Sequence, residues 1–337
     1  MKMKANNLLR RMKDALLILA STSLVFAPTR AQTHKPRPAA TKATTRVNVK
    51  TNGASLGTQP AKSLVVSSAP NAVVWVDGVR RGVTNESGQL ELKQVSRASH
   101  VIRVRAKGFA ESVVAIAASQ VVLGRVSVPV NRTLTEAERA FQDAEEARET
   151  ASAESRKSAV ELYRRAISLR PRYPAAHTGL ARTLSELGDY DGALSEIAAA
   201  REGSAYAEAS AVEGRILHSS GDDAAALESY ARAIREARGF QPEAHTGTGI
   251  ILQERGDYAG AAASFRKAIA QLSDTEPVVY QLLGEAYEKQ EKYKEAVAAY
   301  EKYLELAPEG KLAPAIQSII EQLRKQAAEQ DQPPPQT

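Results

Sequence analysis

The sequence predicts a multidomain β plus α protein: a small antiparallel β-sandwich followed by an all-α superhelix of about five helix-turn-helix repeats and a capping helix. Two patterns support this. Residues 63–131 contain short β-branched runs separated by glycine turns, whereas residues 135–310 repeat with a period of 33 to 35 residues. Charge changes along the chain as well. Residues 1–62 hold 12 Lys and Arg against one acidic residue, and residues 132–337 hold 25 against 34.

The first 31 residues are typical of a signal peptide. Five basic residues precede an apolar run from Ala15 to Ala27. Thr29 and Ala31 then provide small residues at the −3 and −1 positions of a cleavage site. The run has 13 residues, whereas a membrane-spanning helix needs roughly 20. We therefore expect cleavage near Ala31, no transmembrane segment afterwards, and a periplasmic or secreted protein. An uncleaved membrane anchor is the alternative.

Residues 32–62 and 328–337 are polar and rich in proline, with almost no aliphatic pattern. Such segments cannot bury enough apolar surface to offset their ordering entropy, so we expect a disordered linker and a disordered tail. The chain has no cysteine, which excludes disulfides, thiolate metal sites and a cysteine nucleophile. Export without disulfides fits a bacterial envelope.

Residues 63–131 are predicted to form the β-sandwich. The predicted strands lie in Leu64–Val66, Ala72–Val76, Leu90–Leu92, Val101–Val104, Val113–Ile116 and Val121–Val130. Asp77 and Gly78 predict a hairpin turn, since aspartate caps its own turn and glycine adopts positive φ.

Several short motifs in this segment occur in the order found in the PEGA domain family, which the segment resembles. They are Ser68–Ala72, Val74–Gly78, Gly82–Thr84, His100–Val104 and Lys107–Phe109. The stretch Thr84–Leu92 is also similar to carboxypeptidase-regulatory-like sandwiches. Either resemblance implies an accessory or envelope-associated module without catalysis. Trp75 is a candidate for stacking on a glycan, with burial on one sheet face as the alternative.

An alanine recurs through the helical part at almost constant spacing, and a large residue follows it four positions later. The alanines are Ala159, Ala193, Ala226, Ala261 and Ala296, and the large residues are Tyr163, Ile197, Tyr230, Phe265 and Tyr300. Small residues let paired helices approach closely, and the large residue fills the gap to the neighbouring repeat. This pattern resembles the tetratricopeptide repeat (TPR) family. Residues 311–327 form an amphipathic segment that is expected to cap the array.

The TPR resemblance implies a concave groove lined by the first helix of each repeat. Its predicted partner-binding residues are Thr178, Arg182, Arg215, His218, Gln253, Gln281 and Glu285. Arg182 and Arg215 occupy the same position in adjacent repeats and could grip a carboxylate or phosphate of a partner. Alternatively, the two arginines pair with Glu186 or Glu213.

These patterns predict an exported, non-catalytic scaffold that binds a protein or peptide in the groove. The alternative is an envelope-glycan-binding protein that acts through the β domain, with the repeats as a spacer. A nucleic-acid partner is not expected, because the basic excess lies before residue 63 and the repeat region is acidic. No motif for a nucleophile, a phosphate loop, a cofactor or a metal occurs in the sequence, so we expect no enzyme.

Overall fold

The structure is a computed structural model that describes residues 63–92, 95–132, 135–150, 152–203, 205–272 and 276–330. The predicted signal peptide, its cleavage site and the linker lie outside these residues, as does most of the predicted tail. Within the described ranges, no helix is both long enough and apolar enough to cross a membrane.

The β domain contains two sheets. Its strands are β1 (Leu64–Ser67), β2 (Val73–Val76), β3 (Val79–Val83), β4 (Gln89–Leu92), β5 (His100–Arg105), β6 (Ser112–Ile116) and β7 (Arg125–Ser127), with a short helix α1 (Ala118–Val122) before β7. One sheet has the order β4-β1-β7 and the other β3-β2-β5-β6. Every pair is antiparallel except β1–β7, which is parallel. A tight hairpin forces antiparallel pairing, whereas the long connection from β1 to β7 allows the strands to run the same way.

One apolar core lies between the two sheets. Leu64 and Val66 of β1 face Val74 of β2 and Ile102 and Val104 of β5, and all five are fully buried. Because side chains alternate along a strand, Trp75 points away from this core, to the other face of β2. Trp75 is nevertheless only 6% exposed, because other groups cover that outer face.

The β2–β3 hairpin turns at Asp77 and Gly78, as the sequence predicts. Both residues have positive φ, +51° and +79°, which matches the twist of a two-residue hairpin. The Asp77 carboxylate also accepts the backbone N–H of Val101 at 2.9 Å and contacts Nδ1 of His100 at 2.7 Å. These bonds tie the hairpin tip to the start of β5, and the ion pair raises the pKa of His100.

Five helical hairpins and a final helix follow. The first helices of the hairpins are α2 (Glu136–Glu149), α4 (Pro174–Leu187), α6 (Ala207–Ser220), α8 (Pro242–Glu254) and α10 (Pro277–Glu288). The second helices are α3 (Ala153–Leu169), α5 (Tyr190–Ala200), α7 (Asp223–Glu236), α9 (Tyr258–Leu272) and α11 (Tyr293–Leu306), and α12 (Ala313–Gln330) ends the array.

The turn inside a repeat is encoded locally. Gly221 ends α6 with φ of +99°, a left-handed conformation that glycine adopts without a Cβ penalty. The side chain of the next residue, Asp222, accepts the backbone N–H of Ala225 at 3.0 Å and so caps α7. Asp189 and Asp257 make the same bond in two other repeats. The Gly-Asp pairs therefore set the position of each turn.

Helices within a repeat pack through a small residue facing a large one. Gly249 of α8 lies against Phe265 of α9 so closely that a Cβ added there would be 2.5 Å from a ring carbon. In the second repeat the equivalent positions hold Ala181 and Ile197, which are also buried. The large residues Tyr163, Ile197, Tyr230, Phe265 and Tyr300 are all at most 1% exposed. The small-large pattern therefore forms the core of the array.

The last helix covers the open end of that core. Ile316, Ile320 and Leu323 of α12 are buried against Tyr300 and Tyr303 of α11. The opposite side of α12 is exposed. Such a helix ends a repeat array because it buries one apolar face and gives the other to solvent.

Candidate interaction surface on the concave face

The first helices form the inner side of the array. Each first helix contacts the next one along the chain, from α2 through α4, α6 and α8 to α10. Helices that stay in contact from repeat to repeat occupy the shorter, concave side of a superhelix. We use the term concave face for the surface formed by α2, α4, α6, α8 and α10.

The β domain lies against the first part of the concave face, and Arg103 of β5 is central to this contact. Its guanidinium donates to the Tyr206 hydroxyl and to the Glu208 carboxylate, both at 3.0 Å. Tyr206 in turn donates to Glu208 at 2.8 Å. The guanidinium also stacks 4.7 Å from the Trp75 ring and 5.6 Å from the Tyr206 ring. The two terminal nitrogens of Arg103, the Tyr206 hydroxyl and the Glu208 carboxylate therefore bond to one another.

A second set of contacts joins the β domain to α2. The Arg105 guanidinium lies 4.3 Å from the centre of the Phe141 ring. Gln142 accepts the backbone N–H of Gly108 at 2.9 Å and donates to the carbonyl of Phe109 at 2.9 Å. Because these bonds involve backbone groups, they hold the β5–β6 loop in one position on α2.

The β2–β3 hairpin makes a third contact, with the third and fourth repeats. Val79 packs on Ala207, Ala237 and Phe240. The neighbouring Arg81 guanidinium lies 3.8 Å from the centre of the Phe240 ring. Together the three contacts reach from α2 to the turn before α8, so the repeats bind their own β domain over more than half of the array.

The electrostatics of this contact favour the charged state. The guanidiniums of Arg182 and Arg103 lower the pKa of Glu208 to about 2, even though burial acts in the opposite direction. Glu208 and the Tyr206 ring raise the pKa of Arg103 against its own burial cost. Arg103 and Glu208 are thus both charged throughout the neutral pH range, and the charge of each offsets the cost of burying the other.

The depressed pKa of Glu208 predicts a stability loss in acid. Its pKa falls from 4.5 when unfolded to about 2 when folded, so its contribution is complete above pH 4.5 and disappears as the pH falls towards 2. The loss is about 3 kcal/mol at 1.36 kcal/mol per pKa unit. We expect Glu208→Gln to remove this part of the pH dependence between pH 5 and pH 2.5 in urea unfolding. The exposed control Glu202→Gln should retain it, and equal slopes for both variants would contradict the prediction.

The predicted groove residues differ in where they lie. Thr178 is 1% exposed, and its hydroxyl donates to the carbonyl of Pro174 at 2.8 Å within its own helix. His218 is likewise buried, with Nδ1 2.9 Å from Asp223. Both polar groups are therefore bonded within the array itself. Neither is presented to a ligand.

Arg182 and Arg215 lie on the concave face, as predicted, and both form ion pairs with glutamates. The glutamates are not the expected ones: Arg182 pairs with Glu208 at 3.2 Å, and Arg215 pairs with Glu243 at 3.4 Å. Glu208 and Glu243 stand at the start of the following first helices, which bring them next to the arginines across the repeat boundary. This pairing disfavours the grip on an anionic partner.

Gln253, Gln281 and Glu285 come together on α8 and α10. The Glu285 carboxylate accepts from Nε2 of Gln253 at 3.1 Å and from Nε2 of Gln281 at 2.8 Å. Beside them is a cavity of about 280 Å³, open to solvent. It is lined by Gln253, Tyr258, Glu285, Glu288 and Lys289. Three of the seven predicted residues therefore form one polar cluster beyond the β domain.

The glycan-stacking role considered for Trp75 is not supported. Its ring is covered by Arg103 at 4.7 Å and Arg105 at 4.8 Å, and by the array beyond them. Phe109 is half-buried and packs against the core of the β domain. Periodicity could not show this burial, because the covering groups come from distant parts of the chain.

Sequence analysis did not identify the contact between the domains. Tyr206, Glu208 and Glu243 stand at the beginning of first helices, where an acidic residue is normally explained by the helix dipole. The available signal was charge: the β domain holds 8 Lys and Arg against 4 acids, opposite to the repeats.

In the described part of the chain, one group of side chains has metal-ligand chemistry at short range. Ligand atoms of His218, Asp223 and Glu254 lie within 4.8 Å of one another. Nδ1 of His218 is bonded to Asp223 at 2.9 Å, and Nε2 is 3.9 Å from Glu254. This arrangement is that of a buried histidine–carboxylate pair at the turn between α6 and α7.

Comparison with known proteins identifies the repeats. Profiles described as tetratricopeptide repeat match residues 151–216, 212–277 and 277–309, so the matches run without a gap from α3 to the end of α11. No curated protein matches the chain.

Three solved structures similar to the chain have low sequence identity to it. The chain is 22% identical to TTC0263, a TPR protein of Thermus thermophilus, with a TM-score of 0.44 over 56% of this chain and 99% of that one. The chain is 16% identical to a chain of the APC/C hetero-tetramer Cut9–Hcn1, with a TM-score of 0.47. This match covers 56% of the present chain and 37% of the other, so the chain spans just over a third of that protein. The chain is 20% identical to YrrB, described as a TPR protein with an unusual peptide-binding site, with a TM-score of 0.39 over 54% of this chain and 92% of that one. With the profile matches and the hairpins described above, residues 151–309 of this chain are tetratricopeptide repeats.

Proposed function

We propose that the chain is an exported, non-catalytic interaction scaffold that binds a partner polypeptide on its concave face, with the β domain as an accessory envelope module. One observation carries the proposal: the concave face already binds a folded polypeptide surface, that of its own β domain, through Arg103, Tyr206 and Glu208. TPR proteins generally mediate protein–protein interactions, and their repeats are typically non-catalytic.

The self-contact divides the concave face into two parts. The part from α2 to the start of α8 is used by the β domain, with Val79 on Phe240 as its far limit in the apolar contact. The part formed by α8 and α10 carries the open cavity beside Gln253 and Glu285. We assign partner binding to this second part, since none of the three β-domain contacts described above involves the residues that line its cavity.

Export is proposed from residues 1–31, whose basic start and 13-residue apolar run favour a cleaved signal, and from the absence of cysteine. The glycan alternative has less support, because Trp75 is covered by two arginines.

Site-specific photo-cross-linking tests the proposal. A benzoylphenylalanine placed at Gln253 on the concave face should capture a partner polypeptide in the living cell. The same residue placed at Arg266, exposed on α9, should not capture it. Equal adducts from the two positions, or none from Gln253, would contradict a concave-face partner. N-terminal sequencing of the recovered chain tests export, which requires a new N-terminus near Gln32.

A further inference from the structure

We propose that the cavity between α8 and α10 binds a cationic side chain, an arginine or a lysine, of the partner polypeptide. This inference rests on the proposed function and gives the partner a chemistry. We call the cavity lined by Gln253, Tyr258, Glu285, Glu288 and Lys289 the cation cavity.

The size of the cation cavity suits one side chain. Its volume is about 280 Å³, at or below the lower limit of roughly 300 Å³ for cavities that hold drug-sized ligands. The cavity is also open on the concave face, where an extended segment would pass. A long, unbranched side chain could therefore enter while its backbone stays outside.

The hydrogen bonds of the cluster leave acceptors in excess. A carboxylate can only accept, so the two amide nitrogens must point at Glu285, which fixes the orientation of both amides. The other terminal atom of each side-chain amide is then the carbonyl oxygen Oε1. Oε1 of Gln253 and Oε1 of Gln281 are both buried, and no donor among the described residues reaches either one.

Glu285 and Glu288 line the cavity with carboxylate oxygens, which favour a ligand that brings donors. A guanidinium carries five N–H donors and an ammonium three, and neither has an acceptor that would face the carboxylates. An anionic ligand would meet Glu285 and Glu288 at close range. Lys289 is the one cation among the lining residues, and it is exposed at the rim.

The same chain shows how its repeats hold an arginine. From the repeats, Arg103 is bound by the Glu208 carboxylate and by the hydroxyl and ring of Tyr206. The cation cavity offers the same groups, with Glu285 and Glu288 as carboxylates and Tyr258 as the aromatic residue. The Glu288 carboxylate is held in place on the inner side of the cavity, because it also accepts a hydrogen bond from the Tyr300 hydroxyl at 3.1 Å.

Charge along the concave face agrees with a cationic partner. The equivalent position of the last four repeats holds Arg182, Arg215, Ile250 and Glu285, so its sign reverses towards α10. Both arginines pair with glutamates, whereas Glu285 is bonded only to neutral amides in the described structure. Residues 132–337 are acidic as a whole, with 25 Lys and Arg against 34 Asp and Glu.

The test titrates small probes into the full chain with ¹⁵N-labelled glutamine, following the side-chain amides of Gln253 and Gln281. N-acetyl-arginine methylamide, and more weakly the lysine analogue, should shift both amides saturably. N-acetyl-citrulline methylamide has a similar shape without charge, and it should bind at least tenfold more weakly. Citrulline or glutamate probes binding as well as arginine would overturn the inference. So would the absence of a saturable shift, or occupation by Ca²⁺ without competition from arginine.

Variants make the test specific. Glu285→Gln keeps the shape and removes the charge, so arginine affinity should fall at least tenfold. Glu288→Gln leaves the glutamine–Glu285 bonds intact and should also weaken binding, which guards against a local rearrangement in the first variant. Glu321→Gln on the exposed side of α12 is the matched control and should bind as the parent does. Unchanged affinity in both cavity variants would refute the cation cavity.

The two proposals fail separately. A partner cross-linked from Gln253 that retains its affinity when its basic residues are replaced leaves the scaffold function in place and rejects the cation cavity. Saturable arginine binding without any cross-linked partner supports the cavity and rejects the scaffold function.

Discussion

Arg103→Met is expected to release the β domain from the concave face. The substitution removes one of the two cations beside Glu208, with Arg182 as the other, and it leaves Tyr206 without its guanidinium partner. Breaking one side of a buried pair costs about 3–5 kcal/mol, which is the upper limit here because Arg182 remains. The Glu208 side chain is 17% exposed and its pKa is about 2, so little solvent is available to replace the guanidinium. The loss should be seen as domain separation more than as unfolding of either part, because each part has its own core.

Fluorescence energy transfer measures this separation directly. The chain lacks cysteine, so Ser119→Cys on the β domain and Ser318→Cys on α12 accept dyes uniquely. Arg103→Met should broaden the distribution of energy-transfer efficiencies between the two dyes and lower the mean efficiency. Arg125→Met, at an exposed site on β7, is the matched control and should leave it unchanged. A narrow, parent-like distribution for Arg103→Met would show that the apolar and α2 contacts suffice.

A double-mutant cycle with Glu208→Gln separates the pair from its surroundings. If the two groups act together, the double variant should lose much less than the sum of the two single losses. Strict additivity would mean that Arg103 and Glu208 act through different neighbours. The cycle remains informative even if one single variant is poorly folded in acid, since it can be measured at pH 7.

Phe265→Ala is expected to destabilise the repeats by about 3–5 kcal/mol, the range for removing a buried aromatic ring. Phe265 is fully buried, and its ring fills the space over Gly249, where no Cβ stands. Truncation therefore opens a cavity that α8 cannot close with a side chain of its own. Leu169→Ala, at a residue that is 46% exposed, should cost within about 0.5 kcal/mol.

The second repeat provides the rescue for this prediction. It holds Ala181 and Ile197 where the fourth repeat holds Gly249 and Phe265. Phe265→Ile combined with Gly249→Ala should therefore recover a large part of the stability lost in Phe265→Ala. Gly249→Ala alone should destabilise, because its Cβ would lie 2.5 Å from the Phe265 ring. Urea unfolding of the four variants measures the differences, and a rescue no better than Phe265→Ala would disprove the complementarity.

Local patterns determined most of the architecture. The alanine and aromatic spacing predicted the helical hairpins because a close helix pair needs a small residue facing a large one, as Gly249 and Phe265 show. Gly221 and Asp222 encode the turn between α6 and α7 locally, since a left-handed end and a side-chain cap depend on neighbouring residues only. Asp77 and Gly78 predicted the β2–β3 hairpin for the same reason.

Ion pairs between repeats were less accessible to sequence analysis. Arg182 was correctly placed on the concave face, but its partners Glu208 and Glu243 belong to later repeats. The choice among nearby glutamates depends on the superhelical twist, which brings the start of one first helix beside the middle of the preceding one. Thr178 and His218 were assigned to the groove although they are buried. The spacing of residues along a helix does not show whether a side chain at the edge of the groove points outwards or inwards.

The sequence by itself determined the two kinds of secondary structure, the number of repeats, the turns and the small and large residues that pack within the repeats, since these follow from contacts within about 35 residues. Only the tertiary structure decided that the β domain lies on the concave face. Arg103 meets Tyr206 and Glu208 across more than 100 residues, and Trp75 is buried as a consequence. Such a contact depends on the shapes of two completed domains, and no periodicity in the chain encodes it.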